Sequence, residues 1–263
     1  MKVIVCIKQV PETTEVKIDS ETKTLIREGV PSIINPFDMY AIEEGIRIRE
    51  KYGGKVTVVS MGPPQVESAL RQCIALGVDE VVLISDRIFG GSDTLATSYT
   101  LSQAVRKINE FDLIICGKQA SDGDTAQVGP GIAQHLNIPF VTYVKKIEQI
   151  SPDKSYIRVE KHIDEGYEVI DMPLPSLITV VKEINEPRVE SLIGKMKAKK
   201  AIIPRWSADD LNVDVSRVGL NGSPTQVITI FTPPPRGKGE IFEGESEVVA
   251  NKLIEKLKTN RII

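Results

Sequence analysis

The sequence predicts a doubly wound α/β fold, a mainly parallel sheet with helices on both faces. Short, nearly continuous apolar runs recur at residues 3–7, 56–59, 81–84 and 113–116. Such runs suit strands buried on both faces. Between them apolar residues fall at helical spacing: Val66, Ala69, Leu70, Cys73 and Ile74, then Leu101, Ala104, Val105 and Ile108, and more loosely Phe37, Tyr40, Ala41 and Ile48. The chain has 263 residues, 41% hydrophobic and 26% charged. That is enough for a packed core without disulfides and an ordinary globular mixture.

Taken in order, strand one is followed by Lys8-Gln9-Val10-Pro11, and an extra hairpin is expected at 15–30 before the first helix. Strand and helix then alternate to about residue 140. From there VTYVKKIEQI, SYIRVEKHID and YEVIDM alternate apolar and polar residues between turn residues. They read as an antiparallel meander attached to the sheet. SLITVV returns the chain to a buried strand. Residues 185–200 show no clean periodicity, and 201–240 are rich in Pro and Gly with Ile202, Ile203, Trp206, Leu211, Ile228, Ile230 and Phe231 spread among them. A last helix is expected at 246–258, striped by Val249, Ala250, Leu253, Ile254 and Leu257. The expected division is an α/β domain over 1–184 and, over 185–263, an extended arm that wraps a partner subunit. A long surface excursion packed on its own domain is the other reading of that arm.

Composition excludes several function classes. Lys and Arg number 33 against 36 acidic residues, a net charge of −3, so nothing points to a nucleic-acid binder. Three cysteines (Cys6, Cys73, Cys116) without CxxC, and two histidines without HExxH, offer neither a disulfide framework nor a metal motif. A reducing cytoplasm fits this cysteine usage. There is no apolar run of about 18 residues, hence no expected membrane span, and the N-terminus reads as a buried strand and not a signal peptide.

Ligands of open parallel sheets bind beyond the carboxyl ends of the strands, at the switch point. The strand ending at Cys116 leads into Gly117-Lys118-Gln119-Ala120-Ser121-Asp122-Gly123-Asp124-Thr125-Ala126-Gln127-Val128 and then a helix expected over 126–136. The open N–H groups of a first helical turn form an anion site. Gly123 lets backbone approach a phosphate and Thr125 adds a hydroxyl. Asp124 is expected to cap the helix, with Gln127 answering as in a capping box. Two carboxylates beside a phosphate would repel it, so Asp122 and Asp124 must point away or bind N–H or hydroxyl groups. A capped helix after a tight turn, with no ligand, accounts for the same local chemistry. No GxxxxGK[ST] is present, and Gly129-Pro130-Gly131 is an incomplete dinucleotide fingerprint in the wrong place.

Four further segments carry a resemblance: Asn35-Pro36-Phe37-Asp38, Gly117-Lys118-Gln119-Ala120, the stretch from Val159 through Thr179, and Asn185-Glu186-Pro187-Arg188 followed by Lys195-Met196-Lys197-Ala198-Lys199-Lys200. Together they resemble the β subunit of electron transfer flavoproteins over nearly the whole chain. The resemblance implies a Rossmann-like, adenine-nucleotide-binding fold, a heterodimer with an FAD-bearing α subunit, and a nucleotide on this chain. AMP is the nucleotide of ordinary members and a second FAD that of electron-bifurcating members. It carries over Cys6, Asn35, Pro36, Phe37, Asp38, Met61 and residues 117–128 as the nucleotide site, with Asp122, Thr125 and Gln127 as the side-chain contacts. The small residues Gly123, Ala126 and Val128 make the loop resemble bifurcating members. So does Phe89-Gly90-Gly91-Ser92-Asp93-Thr94, a glycine pair before a helix, capped by Ser92 or Asp93, that would take the pyrophosphate of NADH. The implied activity is hydride transfer from NADH to FAD, then one electron to ferredoxin or flavodoxin and one, through the α-subunit FAD, to a dehydrogenase or quinone-linked oxidoreductase. No catalytic acid–base pair is expected. Leu192 would be an apolar anchor, in a loop, for a dehydrogenase partner; the lysines beside it read equally as a solvated face. The alternatives are a subunit in which AMP is purely structural and a nucleotide-binding regulatory module of similar fold.

Overall fold

Strand β1 (Lys2–Ile7) organises the domain, because its side chains alternate between two apolar layers. In the computed structural model, which describes residues 1–12, 31–228 and 239–263, Val3, Val5 and Ile7 face one layer, and Ile4 and Cys6 the other. The hairpin expected at 15–30 lies outside the described residues, as do Ile230 and Phe231.

On one side of β1 lies β4 (Lys55–Met61), then β5 (Glu80–Ile84). On the other lie β6 (Leu113–Gly117) and β10 (Ser176–Val180), all five parallel. The chain builds outward from β1 in one direction and then returns to add β6 on the opposite flank, so the switch point lies between β1 and β6. Helices α1 (Pro36–Tyr52) and α2 (Glu67–Leu76) cover one face, where Ile42, Ile46 and Leu70 meet Val5, Val58 and Ile115. Helices α3 (Thr94–Ile108) and α4 (Val128–Leu136) cover the other, where Ala104, Val105 and Ile132 meet Ile4, Ile114 and Leu177. Full burial of each large aliphatic side chain contributes roughly 1.5–3 kcal/mol. Helix α2 stops at Gly77, whose φ of 114° is open to glycine and whose N–H reaches back to Cys73 and Ile74 carbonyls.

The antiparallel extension follows the expected pattern. β7 (Phe140–Ile150) pairs parallel with β10, then antiparallel with β8 (Tyr156–Ile163), which pairs with β9 (Gly166–Pro173). A separate two-stranded ribbon, β2 (Gln9–Pro11) with β3 (Ser32–Ile34), flanks the exit of β1.

The C-terminal third differs from the sequence reading in two places. Residues 192–200 form helix α5 (Leu192–Lys200), capped by the Ser191 hydroxyl. It carries no amphipathic stripe, since only Ala198 is buried. Residues 201–218 pack on the α/β domain and do not stand off it. β11 (Arg205–Trp206) adds an edge strand beside β5, and α6 (Ala208–Leu211) inserts Ala208 and Leu211, followed by Val218, into the α3–α4 layer. Helix α7 (Ser246–Thr259) has no buried residue, and Leu253 and Ile254 of its stripe are exposed. Among the described residues no helix is long and apolar enough to cross a membrane.

Candidate nucleotide site

The carboxyl ends of β1, β4, β5 and β6 open into one cavity of about 910 Å3, within the range of small-molecule and cofactor sites. Its wall runs from Asn35 and the 117–129 loop, past Cys6, Met61 and Cys116, to the segment between β5 and α3.

At the first end the backbone is drawn together by two side chains. Asn35 precedes α1 but donates no cap. Its Nδ2 instead donates to the Gln119 carbonyl at 2.8 Å, and its Oδ1 accepts from the Ser121 N–H at 3.0 Å. Asp38, in the first turn of α1, accepts from the Lys8 N–H at 2.7 Å, so it fastens the exit of β1. A β carbon on Gly117 would overlap the Asp38 carboxylate and approach the Phe37 carbonyl carbon to 2.7 Å, so only glycine fits where β6 meets α1. Burial pushes the Asp38 carboxyl up to about 7, against the downward pull of the Lys8 and Gly117 N–H groups.

The loop does not form the expected capping box. Asp124 and Ala126 both take left-handed backbone, with φ of 53° and 56°, and α4 begins only at Val128, with Gln127 in the cap position and no side-chain cap. The Asp124 carboxylate accepts from the Gln119 amide, and the Asp122 carboxylate holds the Lys8 ammonium. Both acids thus point away from the space before α4. The uncapped first turn, with the positive end of its dipole, faces a cavity wall of Gly123, Thr125, Ala126, Gln127 and Val128. These residues fit a phosphorylated nucleotide: open N–H donors, no carboxylate among them, and room where a Cβ on Gly123 would meet nothing within 4 Å.

Of the expected nucleotide residues, Cys6, Asn35, Asp38, Met61, Gly117, Lys118, Gln119, Ala120, Gly123, Thr125, Ala126, Gln127 and Val128 line this cavity. Pro36, Phe37, Ser121, Asp122 and Asp124 lie behind its wall. Pro36 sets the start of α1, and the Phe37 ring lies under Lys118 Nζ at 5.8 Å, with the Tyr143 ring at 5.0 Å from the same ammonium.

The five residues expected to take a second nucleotide, Gly90, Gly91, Ser92, Asp93 and Thr94, line the far part of the same cavity. Asp93 is the cap, its Oδ1 accepting from the Leu95 and Ala96 N–H groups. Its Oδ2 accepts from Thr225 N–H, and Ser92 Oγ donates to the Phe89 carbonyl while accepting from Gly219 N–H. Segment 219–225 therefore braces this loop, leaving the backbone of Gly90 and Gly91 as its open surface. Lys8, Arg87 and Arg205 complete the cationic lining. Lys8 was legible as the residue after strand one; Arg205 arrives from the edge strand β11, for which the sequence holds no signal.

Leu192 lies apart from the cavity. It is the first residue of α5 rather than part of a loop, and at 82% exposure it stands beside the equally open Ile193 and the exposed Met196.

The electron transfer flavoprotein domain matches residues 22–211. The chain is 53% identical, over the whole of both chains, to electron transfer flavoprotein subunit beta of Thermoanaerobacterium thermosaccharolyticum. It is 50% identical, again over both whole chains, to caffeyl-CoA reductase-Etf complex subunit CarD of Acetobacterium woodii. With protein FixA of Azotobacter vinelandii it shares 46% identity over 92% of this chain and 88% of the relative.

Proposed function

The chain belongs to the electron transfer flavoprotein family as a β subunit, and on that premise we propose that its cavity holds FAD and admits NADH beside it, making this the bifurcating type of subunit. The observation that carries the reading is the single cavity of about 910 Å3 that joins the 117–129 loop to the Gly90–Gly91 loop. A mononucleotide would use only the end built by Asn35 and the 117–129 loop. When bound, FAD supplies hydride acceptance from NADH and the release of electrons singly, one to ferredoxin or flavodoxin and one through the α-subunit FAD to a dehydrogenase or quinone-linked oxidoreductase.

This chain's residues bind and orient. The first-turn N–H groups of α4 and the hydroxyl of Thr125 receive a diphosphate. Lys8 and Lys118 balance its charge. Gly90 and Gly91 offer backbone to the second nucleotide, and Arg87 and Arg205 face its phosphates. A β subunit implies an α subunit, and the exposed stripe of α7 and the arm from residue 185 onward supply surface for it. Leu192, with Ile193 and Met196, supplies an apolar anchor for a redox partner.

Flavin and phosphorus analysis of the purified heterodimer tests the reading. Two flavins per heterodimer are expected; one flavin with one AMP overturns it in favour of the structural-AMP subunit. NADH-dependent ferredoxin reduction that requires the high-potential acceptor is the matching activity. Failure to copurify with any flavin-bearing partner would leave the regulatory-module reading.

A further inference from the structure

Two cysteines line the same cavity from neighbouring strands. Cys6 on β1 and Cys116 on β6 are partners in register across the central parallel pair, and their side chains fall in the same apolar layer, on the α3–α4 face. Adjacent strands lie about 4.8 Å apart, inside the roughly 4.4–6.8 Å usual between the α carbons of a disulfide. Each residue is 6% exposed, and both line the cavity. Cys73, on α2 in the opposite layer, is fully buried and lies off the cavity wall.

We propose that Cys6 and Cys116 are a redox-active dithiol, oxidised by a peroxide that enters the cavity to an intramolecular disulfide bridging β1 and β6. One sulfur, as thiolate, attacks a peroxide oxygen. The O–O bond breaks, a sulfenic acid forms and one water leaves. The second sulfur then attacks the first, the S–S bond forms, the S–O bond breaks and a second water leaves. Two thiols and one hydrogen peroxide give one disulfide and two waters, the two electrons passing from sulfur to oxygen. The neighbouring Cys6 thiol and burial raise the Cys116 thiol above its ordinary range, so Cys116 rests protonated and the reaction quickens as pH rises. The bridge would form beside the first turn of α4, where a Cβ on Gly129 would lie 3.7 Å from Cys116 Cβ. The inference rests on strand register, not on what fills the cavity.

The test treats the purified heterodimer with hydrogen peroxide, alkylates the remaining thiols under denaturing conditions and maps the peptides by mass spectrometry. The expected product joins the Cys6 and Cys116 peptides with the loss of two hydrogens, is reversed by dithiothreitol, and leaves Cys73 alkylated. Recovery of Cys6 and Cys116 as free thiols or as separate sulfinic acids overturns the proposal, as does a bridge to Cys73. A second probe needs no variant to fold: phenylarsine oxide, which requires two adjacent thiols, should bind the untreated heterodimer once per β chain and block the peroxide bridge. Arsenical binding that leaves both cysteines open to alkylation overturns it too.

Discussion

The ammonium of Lys8 holds both carboxylate oxygens of Asp122, at 2.6 and 2.7 Å, across 114 residues of chain. The pair ties the exit of β1 to the loop before α4 and turns an acid away from the phosphate-sized space. Both side chains are partly exposed, so the pair contributes no more than about 1 kcal/mol to stability. Asp122→Asn frees the Lys8 charge and should tighten nucleotide binding, whereas Lys8→Met should weaken it about tenfold and flatten its salt dependence. Calorimetric titration at two salt concentrations reads both; changes of the same sign would make the pair purely structural.

Asp38 should make the protein less stable as pH rises. Its carboxyl is lifted by burial to about 7 in the fold, from 3.8, so between those values the folded state holds a proton that the unfolded chain has released. Stability from this group is full below pH 4 and is lost through pH 7, by up to about 4 kcal/mol at about 1.4 kcal/mol per unit. Asp38→Asn should shrink the fall in melting temperature between pH 5 and pH 8. Parallel pH profiles for the two proteins would show that this carboxyl does not titrate there.

Two glycines of the site should separate packing from binding. At Gly129 a methyl group would sit 2.6 Å from Thr179 Cγ2, with Leu177 behind it, so Gly129→Ala should cost about 1–3 kcal/mol by overpacking. At Gly123 it would meet nothing within 4 Å, so Gly123→Ala should stay within about 0.5 kcal/mol of the parent yet weaken nucleotide binding. Denaturant unfolding with a fluorescence binding assay distinguishes them; an unweakened Gly123→Ala places the phosphates elsewhere.

Arg188 anchors the start of the C-terminal arm. Its guanidinium donates to the buried Glu43 at 2.7 Å and to Glu50 at 2.7 Å. Burial opposes ionisation of Glu43, but Arg188 and Arg47 prevail and hold its carboxyl below the ordinary range. That stabilisation is present above pH 4.5 and is lost as pH falls through the lowered value. Arg188→Ala should cost about 1–3 kcal/mol at neutral pH, less under acid, and expose residues 186–200 to protease. A cost that does not change with pH would rule out the ion pair as its source.

Much of this architecture was legible because it follows from periodicity. The apolar runs beginning at Val3, Val56, Val81 and Leu113 are strands that must be buried on both faces, and the meander after residue 140 alternates as half-exposed strands do. The helix before the cavity was legible in existence but not in onset, since left-handed backbone at Asp124 and Ala126 leaves no local pattern in residues that are not glycine. Helix α5 was hidden because one buried residue, Ala198, makes no stripe.

The residues themselves determined the order of strands and helices, the loop that ends β6, and the chemistry gathered at strand ends, since these depend on side chains near one another along the chain. Only the tertiary structure decided that Asp122 would answer Lys8 and that Arg205 would reach the cavity from an edge strand. Each of these joins segments far apart in sequence. Which partner a charge meets is settled by the register and crossovers of the assembled sheet, and no local propensity records that.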